Sequence, residues 1–281
     1  MMRILVTGAR GQLGHDVVAE LKRRGHQAVP VDIEEMDITD ANAVRKVITA
    51  AHVTGVIHCA AYTAVDAAEE NQELCMKVNV EGTRNIAFVC KDLDLKMIYL
   101  STDYVFNGEG ENFWKPDDKR EPLNVYGESK YQGELVVESL LEKYFIVRIA
   151  WVFGKNGNNF VKTMLRLGKE RDSVNVVCDQ VGSPTYTVDL APLLCDMIVS
   201  EKYGVYHATN EGTCSWAEFA KEIFRVAGMD VKVNPISTSQ YPTKATRPLN
   251  SRLEKRCLNE AGFNRLRSWE EALRDVLFNA S

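Results

Sequence analysis

The chain has no Cys-x-x-Cys pair and no His/Cys cluster at zinc-ligand spacing in its 281 residues, so a structural zinc module is not expected. Its seven cysteines are an odd number. Cys59, Cys75, Cys90, Cys178 and Cys195 lie in or beside apolar segments and read as buried small hydrophobes in a reducing compartment, not as a disulfide framework. No apolar run approaches membrane-spanning length, and "MMRILVTGARG" enters a strand-and-turn pattern with no signal peptide ahead of it. A cytoplasmic protein with no membrane partner is the expectation. Clustered positive charge is also scarce. Net charge is −5, and the tightest basic group is Lys22, Arg23 and Arg24, just before Gly25, where a helix should end. It reads as a solvated helix end, and nucleic acid is not an expected partner.

What the chain does have is alternation. "RILVTG" (3–8) is a short apolar run ending in glycine, which suits a buried strand, and "GQLGHDVVAELKRRG" (11–25) has helical spacing. Further strands are expected at 26–32, 55–61, 96–106 and 144–154, with helices at 40–50, roughly 71–92, and after Tyr126. This predicts βαβ units and a doubly wound, Rossmann-type parallel sheet of the α/β class. After about residue 155 the order becomes irregular. Two late helices each open on Ser with Glu three residues on, "SWAE" and "SWEE", a capping-box pattern. The expected division is a dinucleotide-binding domain over 1–154 and a smaller C-terminal substrate-binding lobe over 155–281, with about 180–210 able to return to the first.

Gly8, Gly11 and Gly14 in "TGARGQLG" follow the first strand and open the first helix. Glycines there let backbone N–H groups approach a pyrophosphate at the positive end of a helix. Asp32 ends the second strand about 20 residues on, where an acid can accept hydrogen bonds from ribose hydroxyls. Asp32 favours the free 2′-hydroxyl of NADH, whereas Arg10 inside the turn can reach the 2′-phosphate of NADPH, so use of both is the expectation.

Tyr126 and Lys130 stand four residues apart, one turn along the same helix face. A lysine there favours the phenolate and should draw the phenol's pKa towards neutrality. Thr102 leaves the end of the fourth strand, the edge where such sheets bind ligands. Its hydroxyl can hydrogen-bond a ketone oxygen beside Tyr126, or simply satisfy local backbone.

Together the glycine turn, Asp37–Ile38, "AAYTAVDAAE" (60–69), "VNVEGT" (78–83), "STDYVFNG" (101–108), Tyr126-x-x-x-Lys130, "RIAWVFG" (148–154), "DQVGSPTYTVDLA" (179–191) and "RPLNSRL" (247–253) resemble the extended short-chain dehydrogenase/reductase family over nearly the whole chain. The resemblance implies NAD(P)H-dependent reduction of the 4-keto group of a dTDP-sugar, dTDP-4-dehydro-L-rhamnose, in making a polysaccharide precursor. It implies Gly11, Gln12 and Leu13 at the pyrophosphate and Asp32, Asp37 and Ile38 near adenosine. Ala61, Tyr62 and Thr63 would lie further along the coenzyme, with Lys130 on the nicotinamide ribose. Thr102, Asp103 and Trp151 would meet the sugar.

Sister 4,6-dehydratases carry Thr-Asp-Glu, where the second carboxylate serves elimination; this chain has Tyr104 there. A related nucleotide-sugar epimerase or dehydratase is one alternative. A non-catalytic NADP-binding subunit resembling the regulatory subunit of methionine adenosyltransferase is another. Arg148 and Arg247 suit a diphosphate or a structural ion pair equally. His58, inside an apolar strand, reads as a core histidine, and Asn79 as a residue that bonds nearby backbone. Some relatives dimerise around Mg²⁺ held by glutamates, one of them near Gly14. Here His15 follows Gly14, and Mg²⁺ prefers oxygen ligands. That argues against a metal bridge and leaves a monomer or a homodimer.

Overall fold

In the computed structural model, which describes residues 1–278, the apolar runs become strands buried on both faces. The first part of the chain runs β1 (Arg3–Thr7), α1 (Gln12–Arg23), β2 (Gln27–Val31), α2 (Ala41–Ala51), β3 (Gly55–His58), α3 (Val65–Ala68), α4 (Gln72–Met76), α5 (Gly82–Asp92), β4 (Lys96–Thr102), α6 (Val125–Leu140) and β5 (Tyr144–Ile149). The rest divides between the two layers. It adds β6 (Val152–Phe153), α7 (Phe160–Glu170), β7 (Ser173–Val177), β8 (Val181–Gly182), β9 (Thr185–Tyr186), α8 (Thr187–Val199), β10 (Gly204–His207), β11 (Cys214–Ser215), α9 (Trp216–Val226), β12 (Lys232–Ile236), β13 (Asn250–Ser251), α10 (Arg256–Glu260) and α11 (Trp269–Phe278).

The main sheet has the order β10-β5-β4-β3-β1-β2, and every pair in it is parallel. Leu13, Val17 and Leu21 of α1 share one face of the sheet with Leu190, Leu194 and Ile198 of α8. α2, α5 and α6 cover the other face through Val44, Ile48, Ile86, Val136 and Val137. The sheet is therefore doubly wound. The crevice where strand order reverses, between β1 and β3, opens at the carboxyl edge.

A separate core of Phe153, Val161, Tyr186, Phe219, Phe224, Trp269 and Leu273 builds the second lobe. Its helices start as their sequences direct: Ser215 and Glu218 cap α9 reciprocally, and Ser268 and Glu271 exchange the same bonds at α11.

Several local expectations change. The helix expected over 71–92 is interrupted by a widened π turn at Lys77–Glu81, which turns Asn79 inward. The fifth strand breaks at Ala150–Trp151, where Trp151 takes a left-handed φ of 50°; its continuation β6 pairs with β9 instead of the main sheet. Cys178 is exposed, because it lies just past the end of β7. Arg24 is not a free helix end: it reaches Asp196 and the Pro192 carbonyl, tying α1 to α8.

Helix α6 lies flush on β4 and on the turn just after it, at two glycines. A Cβ on Gly133 would stand 2.1 Å from the Tyr99 hydroxyl, and one on Gly127 would stand 2.3 Å from the Tyr104 carbonyl oxygen. Gly133→Ala is expected to cost about 1–3 kcal/mol by overpacking. Urea unfolding checks this, and an unchanged midpoint would show that the helix has room to spare.

Candidate active site

A cleft of about 880 Å³ runs along the carboxyl edge of the sheet, the size range of ligand pockets. At one end are Gly8, Arg10, Gly11, Gln12, Leu13, Gly14, Asp32, Asp37 and Ile38; at the other are Thr102, Asp103, Tyr126, Lys130 and Trp151. Ala61 and Thr63 line the stretch between. Tyr62 is the exception. It lies outside the lining, its backbone N–H donating to Asn79 Oδ1 (2.7 Å) and its carbonyl accepting from Asn79 Nδ2 (3.0 Å).

The glycine turn fits a pyrophosphate. A Cβ on Gly14 would lie 2.1 Å from the Gly8 carbonyl oxygen, and one on Gly8, at φ 61°, would lie 2.8 Å from the Ala60 nitrogen. No side chain caps α1, and its first turn carries no acid, which leaves N–H groups for an anion. At the adenosine end Asp32 Oδ2 accepts the Arg10 backbone N–H at 3.0 Å. The Arg10 guanidinium is held by Glu34 and Glu35.

Asn124 caps α6 through the Gly127 N–H (2.7 Å) and binds the Thr246 carbonyl (2.8 Å), so the start of the helix is fixed to both lobes. One turn on, Lys130 is buried, its ammonium 4.1 Å from the centre of the Tyr99 ring. Burial lowers its pKa to about 7, against the pull of Glu134. Tyr126 departs from expectation. Its pKa is raised, chiefly by burial and then by Asp103, with only the Thr102 hydroxyl working the other way. Lys130 stands one turn along the same helix, but loss of water sets the direction of the shift, and Tyr126 is a neutral phenol.

Thr102 Oγ1 donates to Asp103 Oδ1 (3.0 Å) and accepts the Tyr104 N–H (3.2 Å). Its hydroxyl is thus engaged locally and must turn from Asp103 to meet a ketone. Asp103 is fully buried with Oδ2 unpartnered, and burial raises its pKa to about 6. Trp151 stacks on Trp216, ring centroids 3.8 Å apart, at the far wall. Tyr104 meets Tyr126 edge-on, ring centroids 5.6 Å apart.

Both arginines are held in ion pairs. Arg148 forms a two-pronged pair with buried Glu134, both contacts 2.8 Å, and Arg247 pairs with Asp66 at 2.5 Å. His58 is a core histidine, between Thr7 (2.7 Å) and Thr83 (3.2 Å), and burial lowers its pKa to about 3. Sequence reasoning missed Cys59, Val65 and Asn158, which also line the cleft. It also missed the link from Asn79 to Ser129 Oγ (2.8 Å), which ties the 60–63 loop to α6. The apolar context of Cys59 hid it; the loop carrying Asn158 gave no signal. His15 is exposed beside Asp16 and Asn156.

The family model described as RmlD substrate binding domain matches residues 2–281. The chain belongs to that family. It is 40% identical to the dTDP-4-dehydrorhamnose reductase of Aggregatibacter actinomycetemcomitans, over 98% of both chains. It is 38% identical to the dTDP-4-keto-6-deoxy-D-glucose reductase of Streptomyces niveus, covering 96% of this chain and 95% of that one. The crystal structure of dTDP-4-dehydrorhamnose reductase from Bacillus anthracis in complex with NADP superposes with a TM-score of 0.96 at 44% identity, covering 99% of each chain.

The buried carboxyl of Asp103 makes a stability prediction. Its pKa of about 6, against the ordinary 3.8, means the folded state loses stability as pH rises through that interval. The full loss is about 3 kcal/mol, from the conversion of pKa difference to free energy. Asp103→Asn removes this loss. Its gain in Tm over the parent should grow between about pH 4 and 6 and level off above, read by scanning calorimetry. A gain independent of pH would contradict the buried charge.

Proposed function

We propose that this chain reduces the 4-keto group of dTDP-4-dehydro-L-rhamnose with NADH or NADPH, giving dTDP-L-rhamnose for polysaccharide synthesis. The observation that carries it is a half-buried, neutral Tyr126, one helical turn from Lys130 and beside Thr102, in a cleft continuous with the glycine turn. In this reading residues 1–154, joined by α8 and β10, hold the coenzyme, and the remaining later chain forms the nucleotide-sugar lobe.

Gly8, Gly11, Gln12, Leu13 and Gly14 hold the pyrophosphate, Asp32, Asp37 and Ile38 the adenosine, and Ala61 and Thr63 the stretch towards the nicotinamide. Tyr62 takes part through its fixed backbone. Bound NADH or NADPH supplies the hydride to C4. As the carbonyl π electrons move onto oxygen, Tyr126 Oη gives that oxygen its proton, completing the alcohol. Thr102 donates a hydrogen bond to the same oxygen as charge builds. Lys130, in its charged form, stabilises the phenolate left behind and holds the coenzyme ribose. The unpartnered Asp103 Oδ2 receives a sugar hydroxyl, and the Trp151 ring lies against the sugar or base. With Tyr104 beside Asp103 there is no adjacent second carboxylate for elimination, which favours simple reduction.

The wild-type protein should oxidise NADH or NADPH with dTDP-4-dehydro-L-rhamnose generated in situ. Tyr126→Phe should lose at least roughly a hundredfold in kcat while still binding coenzyme. No oxidation by a protein that binds coenzyme sinks the reading.

Asp32 and Arg10 line the adenosine end of the cleft, and Glu34 and Glu35 hold the Arg10 guanidinium from outside it. Both coenzymes fit this balance, and NADPH must draw Arg10 from its glutamates. Glu34→Gln/Glu35→Gln should therefore raise the ratio of kcat/KM for NADPH over NADH by roughly threefold to tenfold at low salt, the effect fading as salt screens it. An unchanged ratio would remove Arg10 from coenzyme choice.

A further inference from the structure

Glu134 lies on the same stripe of α6 as Tyr126 and Lys130, one turn beyond the lysine. Its side chain is wholly buried, an unusual place for a carboxylate. Arg148 Nε and Nη2 grip its two oxygens at 2.8 Å each, and Arg120 Nη1 adds a third contact at 2.8 Å. The buried Ser101 hydroxyl also favours its ionised form. Burial opposes that form, and the two arginines overcome it, holding the carboxyl below the ordinary range.

The partners stand at one level of the sheet. Ser101 and Arg148 face each other across β4 and β5, and the next pair is Thr102 and Ile149. Arg148 is itself fixed by the Pro116 carbonyl (2.9 Å) and by His207 Nε2 (3.2 Å), the latter ring kept neutral by burial. Arg120 is shared with Glu138 on the next turn of α6. A one-residue slip of the helix would strand a buried carboxylate and a buried guanidinium, each strongly costly when unpaired.

We propose that Glu134 is a positioning residue: by pinning α6 to the Ser101–Arg148 pair, it sets where Tyr126 and Lys130 stand relative to Thr102. The claim rests on the reductase reading for its kinetic consequence. Glu134 also acts on Lys130 directly. Around Lys130 lie Glu134 from its own helix, Cys75 from α4, His58 and Cys59 at the end of β3, and Tyr99 from β4, with Tyr126 one turn back along α6. His58 is neutral, and burial keeps Cys59, Cys75, Tyr99 and Tyr126 protonated. Glu134 is the ionised member of that set.

The test uses Glu134→Leu/Arg148→Met, which removes both charges and avoids leaving one unpaired. Two readouts apply: kcat and KM, and the titration of Lys130 followed by 13C NMR in lysine-labelled protein without substrate. The expected result is a folded protein with kcat lower by about a hundredfold and a smaller change in sugar KM. Its Lys130 midpoint should also fall below the parent's value of about 7. A folded variant with parental kcat and an unmoved midpoint overturns the proposal. Should that variant not fold, Arg120→Gln decides, since Arg120 is at the protein surface and retains 19% exposure. Loss of its positive charge should move the Lys130 midpoint upward with kcat reduced about threefold, and no change in either overturns the claim. If the parent protein reduces no ketone, the reductase reading fails, while the Lys130 titration still decides whether Glu134 governs that lysine.

Discussion

Helix α6 rests so closely on β4 and the turn that follows it that two of its residues must be glycine, and the site depends on that contact. Gly127 and Gly133 bring the helix against Tyr104 and Tyr99, which carries Tyr126 and Lys130 to the end of the strand bearing Thr102. The same closeness removes water. Without water the phenol of Tyr126 keeps its proton, the Lys130 ammonium becomes easy to discharge near pH 7, and the Asp103 carboxyl is hard to ionise below about 6. Shifts in opposite directions within one small volume mark acid–base sites. Here one contact between a helix and a strand produces all three.

A buried polar site destabilises a fold unless each group is answered, and the answers come from several elements. Glu134 is met by Arg148 and Arg120, Asn79 by the Tyr62 backbone and Ser129, and Asn124 by the α6 N-terminus and the C-terminal lobe. Asp103 Oδ2, buried in the cleft wall, makes no hydrogen bond, with the Ser251 hydroxyl near enough only to favour its charge. Trp151 accepts a left-handed backbone next to it, a conformation rare for a bulky residue. Strain and an unmet acceptor at the same edge are consistent with a place kept for a ligand.

Much of this was legible in the sequence. Short β-branched runs ending in glycine, separated by helical spacing, identify a parallel sheet because strands covered on both faces leave no polar alternation. The glycine turn and Tyr126-x-x-x-Lys130 were legible because each is a local backbone or one-turn requirement. What escaped depends on distant partners. Nothing near Arg148 in the chain says that Glu134 will take it, or that Arg24 will reach Asp196. The break before Trp151 and the π turn at Asn79 are set by packing, not propensity. The direction of the Tyr126 pKa shift was not legible, because the neighbouring lysine is visible in sequence and the loss of water is not.

The account centres on hydride delivery to C4 with proton delivery from Tyr126. The most direct measurement supplies dTDP-4-dehydro-L-rhamnose with NADH or NADPH carrying deuterium at nicotinamide C4, each face labelled separately, and examines the product by proton NMR. The account predicts deuterium at sugar C4 from one face only, in a product of L-rhamno configuration. Deuterium at C5 or C6, or turnover with no label transferred to the sugar, would contradict it.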